Sequence, residues 1–135
     1  MGHCGGSWQE ADVYRLAYQF NCPPYPKAGA IGGSSPACGL DGLLRLEAPD
    51  GLFLETIKAS DCRSPKTLVI RLFEGFGGRG TAKLVPTRPV KSMILVDALE
   101  QEITAGKRKW TLTDNNALCF EYHPFEIITV KVVFQ

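Results

Sequence analysis

From Leu40 onward, apolar and polar residues alternate in short runs broken by turn-forming residues, a pattern that predicts β-strands. Thr67–Glu74 places Leu68, Ile70 and Leu72 on one face and Val69 and Phe73 on the other. Both faces are apolar apart from Arg71, which marks a central strand. Leu43–Glu47 and Leu52–Ala59 flank the turn signature Pro49-Asp50-Gly51. Thr81–Val85 follows a glycine cluster, and Val90–Asp97 sets Val90, Ile94 and Val96 against Lys91, Met93 and Leu95. Trp110–Thr113 and Ala117–Tyr122 flank Asp114-Asn115-Asn116, residues that tolerate the positive φ of a tight hairpin. Glu126–Phe134 closes the series and is dense in Ile and Val. The pattern predicts an all-β fold, an antiparallel, immunoglobulin-like β-sandwich of about 7–8 strands.

Residues 1–39 read differently. Ser7-Trp8-Gln9-Glu10 has the Ser-x-x-Glu spacing of a capping box. Trp8, Ala11 and Tyr14 or Arg15, then Tyr18, fall about a turn apart, which predicts a short helix over 8–17. Pro23-Pro24 and Pro26 then break the pattern. The stretch to Gly39 is rich in Gly, Ala, Ser and Pro, as a long surface loop is. The expected organisation is an N-terminal segment over 1–39 and a sandwich over 40–135.

Composition narrows the function classes. At 135 residues the chain fits one domain with a real core. Fifteen basic and 14 acidic residues give a net charge of +1, so there is no bulk electrostatic case for nucleic acid or an anionic membrane. No apolar run reaches the length of a membrane span. The N-terminus lacks a basic patch followed by an apolar stretch, so no secretory signal is expected. The five cysteines, Cys4, Cys22, Cys38, Cys62 and Cys119, are widely spaced and odd in number. They form no Cys-x-x-Cys pair and read as reduced thiols.

Candidate chemistry is sparse. Two histidines, His3 and His123, cannot make a three-histidine metal site. His3 with Cys4 would need ligands from distant positions. No nucleophile elbow and no phosphate-binding Gly-x-x-x-x-Gly-Lys-Ser/Thr motif occurs. Gly75-Phe76-Gly77-Gly78-Arg79-Gly80 joins two predicted strands, so it lacks the helix N-terminus that a dinucleotide site requires. A tight glycine turn is the plain reading. The functional one has Glu74 and Arg79 presented as a charged pair from a rigid turn. Carboxylates recur at Glu47, Glu55, Glu74, Asp97, Glu100, Glu102, Glu121 and Glu126, most of them among charged neighbours as on solvated faces. Trp8, Trp110, Tyr122 and Phe76 could stack on sugar rings or serve as packing residues.

Five collinear runs resemble one family. Thr67-Leu68-Val69-Ile70-Arg71-Leu72-Phe73-Glu74, continued by Gly77-Gly78-Arg79-Gly80-Thr81-Ala82-Lys83-Leu84, resembles the L-x-x-R-L-[YF]-E-x-x-G-G-R-x-x-A run of glycoside hydrolase family 38 α-mannosidases. Pro124-Phe125-Glu126-Ile127-Ile128-Thr129-Val130 resembles their P-F-E-I-K-T strand, and Leu54-Glu55-Thr56-Ile57-Lys58 their L-E-T-[VI]-K strand. Pro89-Val90-Lys91 through Val96-Asp97-Ala98-Leu99-Glu100 is similar to their P-V-x-x-A-x-x-V-[DN]-L-L-E segment. His3 and Gly6-Ser7-Trp8-Gln9-Glu10-Ala11, with Arg15 and Ala17-Tyr18 leading to Asn21, resemble their P-H-x-G-x-W-x-E-A … A-Y-x-L-N-x-P stretch.

The resemblance implies the C-terminal accessory β domain of a zinc-dependent retaining α-mannosidase, with residues 1–39 a remnant of the preceding β region. In that family the nucleophile, acid/base and zinc ligands belong to an N-terminal catalytic domain that no part of this chain matches. No catalytic or metal residue carries over, and the chain alone is expected to be inactive. Zinc is expected in the catalytic domain, which is also the expected partner. Glu74, Gly77, Gly78 and Arg79 are the candidate cleft-edge or interdomain contacts. A mannose-containing oligosaccharide is a second partner, and self-association of the isolated chain through exposed apolar surface a third expectation. The likeness is to the cytosolic or vacuolar branch, so the expected location is cytoplasmic or vacuolar. The competing reading is a free-standing carbohydrate-binding or protein-interaction sandwich.

Overall fold

The structure is a computed structural model; it describes residues 6–23, 42–62, 64–103, 109–113 and 116–135. The chain divides into two compact units, Met1–Ala37 and Cys38–Gln135.

Among its described residues the first unit holds one helix, α1 (Val13–Asn21). The capping box forms: the Ser7 N–H donates to Glu10 Oε2 at 2.9 Å, and the Glu10 N–H donates to Ser7 Oγ at 3.3 Å. It closes a single turn rather than opening the helix predicted over 8–17, because Asp12 then enters the left-handed region at φ 52°. Aspartate tolerates that conformation better than most residues. The helix starts one residue later and runs to Asn21, whose side-chain amide donates to the Ala17 carbonyl. No residue of α1 is buried. The predicted loop beyond Pro23 lies outside the described residues.

The second unit is a sandwich of two four-stranded antiparallel sheets. The strands are β1 (Leu44–Glu47), β2 (Leu52–Ala59), β3 (Thr67–Glu74), β4 (Gly80–Pro86), β5 (Val90–Val96), β6 (Trp110–Leu112), β7 (Leu118–Tyr122) and β8 (Ile127–Phe134). The first sheet has the order β1-β4-β7-β6 and the second β2-β3-β8-β5. Every predicted strand forms, within one residue or so of its expected ends. β3 is central, as its two apolar faces require.

Ile70, Leu72, Met93, Leu95, Ile128, Val130 and Val132 meet Ala82, Leu84, Leu118 and Phe120 between the sheets. Each large side chain so buried contributes about 1.5–3 kcal/mol against exposure. One phase differs from the sequence pattern. A bulge between Val90 and Ser92 turns Val90 to the same core as Met93 and Leu95, leaving Ile94 and Val96 on the outer face. An extra residue in a strand reverses the alternation beyond it.

The two outer faces contrast. On the first sheet, Glu47, Lys83, Cys119 and Thr111 form one cross-strand row, with Glu47 paired to Lys83. On the second, one row is Phe53–Phe73–Ile127, and another is Lys58–Val69–Lys131–Ile94.

Candidate functional site

The end of the sandwich carrying the Gly75–Gly80 connection is organised around Glu74, the last residue of β3. Only 2% of Glu74 is exposed. Its Oε1 accepts the N–H groups of Phe76 at 2.9 Å and Gly78 at 3.0 Å. Its Oε2 accepts those of Gly77 at 2.9 Å and Phe125 at 2.8 Å. Burial alone would push this carboxyl up. The four amides outweigh burial and hold it below its ordinary value, so it stays ionised. The carboxylate thereby ties the β3–β4 connection to the β7–β8 turn. Two backbone bonds complete the joint, Glu74 N–H to the Glu126 carbonyl and Gly75 N–H to the Gly51 carbonyl.

The local sequence fits this geometry. Gly77 has φ +78°, and a Cβ there would lie 3.0 Å from the Phe125 ring. Gly51, at φ +103°, leaves room for Glu74 Oε1, which a Cβ would approach to 3.0 Å. These glycines supply backbone freedom and space at once. Phe125 takes φ 57° without that freedom, held by its N–H bond to Glu74 and by the Glu126-to-His123 turn. Tyr122 lies beneath; burial and the Glu74 charge raise its phenol.

Of the candidate residues, the structure brings Glu74, Gly77 and Gly78 into one hydrogen-bonded unit. Glu74 and Arg79 do not project together. Glu74 turns inward with both oxygens engaged, while Arg79 is exposed and makes no ion pair among the described residues. A buried carboxylate with four amide donors has no position left for acid/base work or nucleophilic attack. The unit can present a cation from a fixed backbone.

A second joint escaped the sequence reading. Glu100, which stood among carboxylates read as solvated, has a side chain only 5% exposed. It pairs with Lys58 at 2.9 Å and Lys131 at 3.7 Å, accepts the Ser60 hydroxyl, and accepts the Asp61 N–H at 3.1 Å. The Ser60 hydroxyl, then Lys58 and the Asp61 amide, overcome burial and hold this carboxyl at about 2. Lys58 and Lys131 flank Val69 in one row, so the joint lies over Val69, which is 1% exposed although outside the core between the sheets. The sequence signals were Glu100 and Lys58, each the last residue of a run that resembles the family, but nothing in the sequence brought the two together.

Cys22 and Cys62 are exposed free thiols and Cys119 is a half-buried one. Among the described residues no three His, Cys, Asp or Glu side chains converge to hold a metal ion. His3, Cys4 and Cys38 lie outside those residues. No helix of the described residues is long and apolar enough to cross a membrane.

The profile of the glycosyl hydrolases family 38 C-terminal beta sandwich domain matches residues 51–130, the stretch that contains both buried carboxylates, Glu74 and Glu100. The chain belongs to glycosyl hydrolase family 38. Relatives agree with the family 38 assignment. Alpha-mannosidase 2C1 of Mus musculus is 33% identical over 131 residues, covering 96% of this chain and 12% of that protein. Alpha-mannosidase 2C1 of Homo sapiens is 33% identical over 132 residues with the same coverage. An alpha-mannosidase of Saccharomyces cerevisiae is 24% identical over 140 residues, covering 92% of the chain and 12% of the relative. The chain therefore spans about an eighth of the length of these relatives.

Proposed function

We propose that this family 38 sandwich supports the catalytic domain of a zinc-dependent retaining α-mannosidase, and that its Glu74-bound end forms one edge of the substrate cleft. The observation that carries the reading is Arg79, an exposed cation on a connection whose backbone Glu74 fixes at three successive amides. A rigid turn holds such a group in place at little entropic cost. Support comes from membership of the family and from the 12% share of each relative that the chain covers, which leaves room for a catalytic domain elsewhere. In this reading Gly77 and Gly78 give the turn its shape, and Arg79 faces the cleft or the neighbouring domain.

Zinc belongs to the other domain in this proposal. The described residues of this chain offer no ligand set for it. A cytoplasmic or vacuolar location accompanies the reading, as does a mannose-containing oligosaccharide as the sugar partner.

The test is an assay with zinc and an aryl α-mannoside, run on the chain alone and on the chain in place of the matching segment of a full-length alpha-mannosidase 2C1. The expected outcome is no turnover by the chain alone, turnover by the chimera, and a raised KM or lowered kcat when Arg79→Ala is introduced there. Turnover by the isolated chain would sink the proposal. Saturable binding of mannose oligosaccharide by the isolated chain, with a chimera indifferent to Arg79→Ala, would favour the free-standing binding module.

A further inference from the structure

The outer face of the second sheet carries an apolar ridge at its Glu74 end. Phe53, Phe73 and Ile127 form one row across β2, β3 and β8. Phe53 packs against Phe73 with ring centroids 5.3 Å apart and planes tilted by 52°, and edge-on against Phe76 at 5.3 Å. Two apolar side chains at this end are exposed: Ile127 by 65%, and Phe125, in the turn that leads into β8, by 73%. The corresponding face of the first sheet carries Arg45, Glu47 and Lys83 in ion pairs.

Two features separate this ridge from scattered surface apolar residues. Phe125 adopts a left-handed backbone that costs an ordinary side chain stability, and the Glu74 carboxylate holds it there. The strain keeps an aromatic ring in solvent, where burial gains nothing for this chain. The ridge also borders a hollow of about 400 Å³ lined by Val96, Ile103, Ile127 and Thr129, among others. A ridge beside a hollow is a relief that a complementary protein surface can fill, and contiguous exposed apolar surface marks such contacts.

We infer that the Phe73–Phe125–Ile127 ridge is the surface on which this sandwich docks against the catalytic portion of its own enzyme, through an apolar patch on that portion. The inference rests on the function proposed above and adds the face. The occupant follows from size: the relatives are about eight times longer than this chain, so most of their polypeptide lies outside the matched region. The charged outer face of the first sheet then remains in solvent.

Hydroxyl-radical footprinting tests this on the isolated chain and on the chimera of full-length human alpha-mannosidase 2C1 carrying this chain in place of its matching segment. The expected result is protection of Phe125 and Ile127 by about tenfold in the chimera, while Leu112, 45% exposed on the first sheet, is labelled equally in both. An active chimera with Phe125 and Ile127 still labelled overturns the ridge and leaves the proposed function standing. An inactive chimera without protection overturns both. Dimerisation of the isolated chain that already protects Phe125 and Ile127 assigns the ridge to a second copy and overturns the inference. Ile127→Lys supplies an independent arm. It is expected to leave the melting curve of the isolated chain unchanged and to shorten the thermal half-life of the chimera by about tenfold. Equal half-lives for the two chimeras would overturn the inference.

Discussion

Glu74 and Glu100 are two buried carboxylates that each join connections far apart in sequence, yet the chain neutralises them by different means. Glu74 meets only backbone N–H groups, four of them, from two turns. Glu100 meets two lysines, a hydroxyl and one amide. Backbone amides are fixed by the fold and cannot turn to water when the carboxylate is lost. The Lys58 side chain is 40% exposed and can rehydrate. The first joint is therefore a rigid element in which every donor depends on one acceptor. The second is an ion-pair cluster whose members have alternatives.

The largest expected effect comes from breaking the amide joint. Glu74→Gln preserves size but replaces an acceptor oxygen with an NH2 that faces N–H donors. We expect a loss of about 3–5 kcal/mol, seen as a fall in Tm of at least about 10 °C. Glu100→Gln should cost less, about 1–2 kcal/mol by denaturant titration, because its lysines recover solvent. If the two substitutions proved equally costly, the distinction between rigid and adaptable joints would fail. The smallest effect separates them by salt: raising NaCl from about 0.05 to 1 M should narrow the gap between wild type and Glu100→Gln by some tenths of a kcal/mol and leave the Glu74→Gln gap unchanged. Acid gives a companion measurement. The Glu100 carboxyl sits at about 2, below its ordinary 4.5, so its stabilisation is complete above 4.5 and disappears as pH falls towards 2. The wild-type and Glu100→Gln stabilities should converge over that window in urea titrations, and a constant gap would contradict the assignment.

The sequence revealed strands better than joints, for a physical reason. Strand identity is carried by neighbours two residues apart, and β3 shows it on both faces. The face of Val90 was not legible, because a bulge leaves no mark in a run of Val, Lys, Ser and Met. The capping box at Ser7 and Glu10 was legible, but the left-handed turn at Asp12 that detaches it from α1 was not. Glu74 stood out beside its glycines, and the family run identified the segment. Its inward orientation depends on Phe125, which lies 51 positions along the chain. Glu100 was lost among other carboxylates because Lys58, Ser60 and Lys131 approach it only after the sheet has formed. Arg79 and the glycines around it follow the reading of a tight connection, and the packing of Phe125 against Gly77 does not follow from either residue alone.

The Glu74 joint also sets an order of events in folding. Its carboxylate can leave water only when the amide of Phe125 arrives to complete the ring of donors, so the β3–β4 connection cannot settle on local contacts. Closing a separation of 51 residues is slow and entropically costly compared with forming a hairpin. The end of the sandwich that bears Arg79 and Phe125 is thus completed late, after β8 has joined β3. Until then the surface that the proposal assigns to a neighbouring domain does not exist in finished form.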